Sequence, residues 1–186
     1  MIKIKKSIEN IKERHLYERP KIRKEAKRVI IAVTLGAILL TFKMNFGIAV
    51  PSGISMLPNF KEDNLYLMSK NFNPKRGDSV MMTVRIGRED EHYMKRIVGV
   101  PGDTISIKNQ KIYLNGELFR EDYVLDGIQA NAEDNKEIIV GDGEYLLLGD
   151  NRENSFDGRN FGVVTEDALN YKILFRLFKL SDFIKI

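Results

Sequence analysis

Two textures divide the chain. From Val29 to Phe42 the sequence runs without a charge (Val-Ile-Ile-Ala-Val-Thr-Leu-Gly-Ala-Ile-Leu-Leu-Thr-Phe), Lys43 interrupts, and Met44 to Val50 is again apolar. From Gly47 onward short β-rich runs alternate with turn residues. The runs are Asn64–Met68, Ser79–Val84, His92–Val98, Thr104–Lys108, Lys111–Leu114 and Glu144–Leu148. Arg76-Gly77-Asp78, Pro101-Gly102-Asp103, Asn115-Gly116 and Gly141-Asp142-Gly143 punctuate them, and Asn109-Gln110 reads as a tight hairpin. Many short strands with Gly/Asp/Pro punctuation predict a mainly β, antiparallel body. Residues 117–140 are acidic and aperiodic and read as a small cap or a long loop. Glu166 to Phe178 fits either a short helix or a final strand.

The apolar stretch predicts a membrane anchor. A span needs about 20 residues, and 29–50 supplies them if Lys43 lies at an interface and snorkels. Residues 1–28 carry eleven cations against four anions, a local +7, while the remainder of the chain sums to −3. The basic excess is therefore a tail, read as helix or disorder with Pro20 breaking any single helix. Under the positive-inside rule that tail is cytoplasmic and the β body, 51–186, lies outside. Two other readings compete: a cleaved leader, which lacks a small-x-small site here, and a buried soluble helix. Nucleic-acid binding by the tail is disfavoured, because Tyr17 is the one aromatic among its cations.

Composition narrows the chemistry. With no cysteine, thiol nucleophiles, disulfides and thiolate metal sites are excluded. There are two histidines. His15 sits in the tail, and His92 lies three residues before Lys95, on the opposite strand face. A Ser/His/Asp triad and a histidine metal site are thereby disfavoured, and no metal or cofactor is expected.

What remains is Ser55, in Ser52-Gly-Ile-Ser-Met-Leu-Pro58, and Lys95, in Lys95-Arg-Ile-Val-Gly-Val-Pro-Gly-Asp103. A serine attacking a carbonyl needs a base, and a lysine is one when burial removes its charge. Arg96, its neighbour, should point away to the outer face. A lone turn serine or strand lysine is ordinarily structural. Here two further segments accompany them: Pro74-Lys-Arg-Gly-Asp-Ser-Val80 and Gly149-Asp-Asn-Arg-Glu-Asn-Ser-Phe-Asp-Gly-Arg159.

In this order, behind an anchor, the four segments resemble the boxes of bacterial type I signal peptidases, over roughly residues 29–177. The resemblance implies a serine endopeptidase with a Ser/Lys dyad, Ser55 as nucleophile and Lys95 as general base. It implies Ser155 as a hydroxyl bonded to the lysine amine. Asp150, Arg152, Asp157 and Arg159 hold the fourth segment, for which an ion-pair network is the favoured reading, and Asp78 is a turn residue. Met56, Phe60, Tyr93 and Met94 would contact substrate. The implied partners are signal peptides of exported preproteins and membrane lipid, with Leu57 and Phe60 available to dip into the bilayer. Three departures stand out. Gly53 replaces a serine that, in some members, completes the oxyanion hole. Gly158 stands in Asp-Gly-Arg where Asp-Ser-Arg is usual, and Asn59 replaces a common threonine. The alternatives are a catalytically silent or substrate-restricted relative that assembles surface structures such as pili, and a soluble Ser/Lys self-cleaving repressor, against which the anchor counts.

Overall fold

The computed structural model describes residues 2–109, 111–124 and 136–182. Residues 1–44 and 45–186 form separate compact units.

The first unit is helix α1, Ile2–Asn45. It runs through Pro20, contrary to the expected break, because a proline removes only one N–H from a long ladder of hydrogen bonds. Arg23–Asn45 is long and apolar enough to cross a membrane, and none of its most apolar window is buried against protein. Lys43 lies in the last turn, where a cation complements the helix dipole. The helix stops five residues short of the expected end of the span. Phe46–Ala49 instead forms strand β1, whose backbone pairs with β2, Asn64–Ser69.

The second unit is antiparallel throughout. After β1 and β2 come β3 (Ser79–Ile86), β4 (Glu89–Gly99), β5 (Thr104–Lys108), β6 (Lys111–Leu114) and β7 (Glu117–Leu118). Then follow β8 (Lys136–Ile139), β9 (Glu144–Leu148), helix α2 (Gly158–Phe161), β10 (Val164–Thr165) and β11 (Leu169–Lys179). One sheet has the order β1-β2-β11-β3-β4-β9-β10 and the other β7-β6-β5-β8. The ambiguous C-terminal segment is thus a strand, inserted between β2 and β3, where its backbone groups find partners on both sides. Lys108 pairs with Lys111, and Asn109 has φ 48°, as the expected tight turn requires. Gln110 itself, and residues 125–135 of the expected cap, lie outside the described residues.

Alternation decides what each face buries. Val98, Leu146 and Leu148 join Ile105, Ile107, Ile112 and Val140 in one core against the small sheet. Val80, Met82, Ile97 and Leu147 form a second core. A third, of Ala49, Met56, Tyr66, Met94 and Ile173, lies beside the Ser55 loop. Strand β4 takes part in all three and presents Lys95 between them.

Candidate active site

Ser55 and Lys95 meet. Lys95 Nζ donates to Ser55 Oγ at 2.8 Å, across forty positions of sequence. Lys95 is 2% exposed. Its Nζ lies 5.1 Å from the centre of the Tyr93 ring, itself packed among Phe156 and Phe161. Burial pushes the amine down to about 8. Asp157 pulls the other way, Arg159 assists the lowering, and Asp150 opposes it. A lysine in ordinary solvent stays protonated two decades further up the pH scale. Here the neutral amine is accessible near physiological pH.

The serine loop is held from two sides. Asn151 N–H donates to Ser55 O at 2.9 Å and Asn151 Nδ2 to Ile54 O at 3.2 Å. Gly53, at φ 87°, donates its N–H to Glu62 Oε1 at 2.7 Å. The left-handed backbone at this position suits glycine and strains any residue with a Cβ. Gly53 N–H is therefore committed to a carboxylate, whereas Ser55 N–H makes no hydrogen bond among the described residues.

Ser155 lies close by without bonding the amine. Its Oγ is buried beside the Asp157 carboxylate, outside hydrogen-bond geometry to any described group. Gly149 separates it from the serine loop. A Cβ there would come within 2.2 Å of Ser155 Oγ and 2.6 Å of Ser55 O. Gly149 opens the fourth segment, but nothing in the sequence marks this crowding, which exists only once that segment meets the serine loop; Glu62 carries no sequence signal at all.

The charged residues pair as ions. Arg159 Nε meets Asp157 at 2.8 Å, and Asp157 caps α2 while accepting from Gly149 N–H at 2.9 Å. Burial would raise the Asp157 carboxyl, but Arg159 and these donors hold it below its ordinary value. Gly158 next to it has no room for the usual serine, since a Cβ would sit 2.9 Å from Leu147 O. Arg152 donates to both Glu121 oxygens at 2.6 Å and to Gly149 O at 2.8 Å. Asp78 takes Lys75 N–H and pairs with Lys172 at 2.7 Å.

Arg96 points away from Lys95, as strand alternation demands, yet not into solvent. Its guanidinium grips Asp150 through two bonds of 2.8 and 2.7 Å, with its side chain 13% exposed. The Tyr123 ring lies 4.2 Å from it. Asn59 Nδ2 bonds both Asp150, at 2.8 Å, and Tyr123 O, at 2.7 Å. Tyr123 thus covers Arg96 on the far face of β4. Asn59 serves this bracket and does not line the cavity at Ser55.

A cavity of about 90 Å³ opens at the dyad, lined by Ser52, Gly53, Ser55, Met56, Tyr93, Met94 and Lys95, with Met81 and His92 at its margin. Phe60 lies elsewhere, against Tyr66 and in a separate groove near Asn59. His92 bonds Thr83 at 2.9 Å and neither dyad member. Among the described residues no cluster of acidic or histidine side chains can hold a metal.

The family model described as signal peptidase, peptidase S26, matches residues 22–178. Signal peptidase I S of Bacillus subtilis (strain 168) is 33% identical over 172 residues, 86% of this chain and 90% of that protein. Signal peptidase IB of Staphylococcus aureus (strain N315) is 30% identical over 184 residues, 87% of this chain and 94% of that protein. A solved signal peptidase I from Enterococcus faecalis V583 is 28% identical, covers 56% of this chain and 98% of its own, and has a TM-score of 0.45. With a serine at the mouth of a small cavity and a match running from α1 to β11, the chain belongs to the signal peptidase family, peptidase S26, and is a serine peptidase.

Proposed function

We propose that this protein is a membrane-anchored endopeptidase that removes signal peptides from exported preproteins by Ser55/Lys95 acyl-enzyme chemistry. The 2.8 Å contact between a buried lysine amine and the serine hydroxyl carries this reading. With Lys95 neutral, Ser55 Oγ attacks the scissile carbonyl carbon while its proton passes to Nζ. The oxyanion faces Ser55 N–H. Collapse breaks the C–N bond, and the leaving amine takes the proton from Nζ. A water then gives one proton to Lys95 and attacks the ester; collapse breaks the bond to Ser55 Oγ, which takes that proton back from Nζ, and the new carboxylic acid loses its own proton to solvent. Ser155, buried close by with its hydroxyl unpartnered among the described residues, is the candidate positioning hydroxyl.

Strand β4 pairs with β3 from Glu89 to Arg96 but with β9 only from Arg96 onward. The edge before Arg96 is open to an extended substrate, which adds as a strand beside Tyr93–Lys95. The small cavity fits an alanine-sized side chain at the cut. Arg23–Asn45 spans the bilayer, with the basic tail cytoplasmic and the β body outside. The test is incubation of wild type, Ser55→Ala and Lys95→Ala with preproteins in membranes. Wild type yields cut product and both variants leave precursor intact; cleavage by either variant overturns the mechanism.

A further inference from the structure

A second and larger cavity lies beside the dyad pocket. It measures about 600 Å³, against about 90 Å³ at the dyad. Met81 and His92 line both, so the two adjoin at the β3–β4 pair. Met68, Leu169 and Tyr171 give it apolar lining, and Lys70, Asp167 and Asn170 give it polar lining. Most of these residues stand on strands β2, β3, β4 and β11, which hold them rigidly.

The polar lining is wired in one direction. Thr83 Oγ1 donates its single proton to Asn170 Oδ1 at 2.6 Å. It must therefore accept from His92 Nδ1, 2.9 Å away. His92 Nδ1 then carries a hydrogen, while Asn170 Nδ2 remains a donor. The His92–Thr83–Asn170 chain makes no bond to Ser55 or Lys95 and has no part in the acyl chemistry.

We infer that this groove is a second side-chain subsite for the same polypeptide substrate. It takes a large side chain with an apolar body and a hydrogen-bonding tip, such as tyrosine, a few residues from the scissile bond. The inference rests on the endopeptidase reading. An extended chain along the β4 edge advances about 3.3 Å per residue and alternates its side chains between faces. Residues of one parity point to the Met94–His92 face and so into the groove; those of the other parity do not. The pocket at the cut selects for smallness, and the groove selects for size and polarity beyond it.

The test uses the full chain in detergent micelles. Fluorescent peptides with alanine at the cut and at every flanking position but one, which carries tyrosine, are bound to Ser55→Ala protein, where cleavage is blocked. Tyrosine should lower Kd about tenfold at positions of a single parity on one flank, a selectivity typical of one well-filled pocket. Asn170→Leu should erase most of that gain. The positional scan itself needs no groove variant. Equal binding at all positions, or a gain untouched by Asn170→Leu, overturns the subsite. Wild-type cleavage is scored separately: peptides left intact despite parity-dependent binding would overturn the peptidase reading and leave the groove standing.

Discussion

Replacing Lys95 by methionine should make the protein more stable at neutral pH, even as it removes the general base. The amine titrates at about 8 in the folded protein and at its ordinary value of 10.5 when unfolded. Below pH 8 both states hold the proton, and folding must bury a charge. At pH 7 that costs about 3 kcal/mol, at about 1.4 kcal/mol for each decade separating the two values. Between pH 8 and 10.5 the folded state loses the proton first, so the unfolded state binds more protons and stability rises with pH. Above 10.5 the cost is gone. Methionine nearly matches the lysine stem and carries no charge, but it forfeits the hydrogen bond to Ser55, worth about 1 kcal/mol. The net gain at pH 7 is about 2 kcal/mol, or about 4–8 °C in Tm for a chain of this size. The assay is thermal and urea unfolding of both full-length proteins in micelles, from pH 6.5 to 10.5. The variant's advantage should be constant up to about pH 7.5, then shrink and reverse by pH 10.5. A destabilised variant at pH 7, or a difference flat across the range, would show Lys95 to be solvated and refute the reasoning.

Other perturbations test the frame around the dyad. Gly149→Ala forces a Cβ into Ser155 and the Ser55 carbonyl; overpacking of this kind costs about 1–3 kcal/mol, and turnover should fall more than Tm does. Glu121→Ala leaves the Arg152 guanidinium buried and unpaired, a loss of about 3–5 kcal/mol by urea unfolding. Glu62→Ala removes the acceptor of Gly53 N–H and should lower kcat about tenfold, in line with a charged hydrogen bond of about 1.5 kcal/mol. Glu62→Gln retains an acceptor oxygen and should restore most of that activity.

The strands of the body were legible because their alternation and turn residues are local signals. Asn64–Met68, Thr104–Lys108 and Glu144–Leu148 fall inside strands whose bounds differ from the reading by at most one residue. Strand β1 was hidden, since Phe46–Ala49 continues an apolar run and only the partner β2 distinguishes a strand from the end of a span. The helix through Pro20 was misread because one lost donor was weighed above a 44-residue ladder. At the site, Ser55 and Lys95 were read through the ordered segments around them. Arg96 was placed on the correct face but in the wrong medium, because nothing near it in sequence announces Tyr123 or Asp150 as cover. Glu62 and Glu121 act through partners 9 and 31 positions away, and Asn59 and Gly149, although they stand beside or in the ordered segments, act through partners as far as 91 and 94 positions away, so no local pattern marks their roles.

The Ser/Lys dyad is tested most directly by catching the acyl group. Wild type and Lys95→Met are mixed with a slowly deacylating ester or β-lactam-type acylating probe at a series of pH values and quenched, and the modified peptide is identified by mass spectrometry. The account predicts a single adduct on Ser55, formed at a rate that rises with pH and levels off above about 8, where Lys95 becomes neutral. It predicts no adduct in Lys95→Met. An adduct on another residue, or equal labelling of Ser55 in the two proteins, would contradict it.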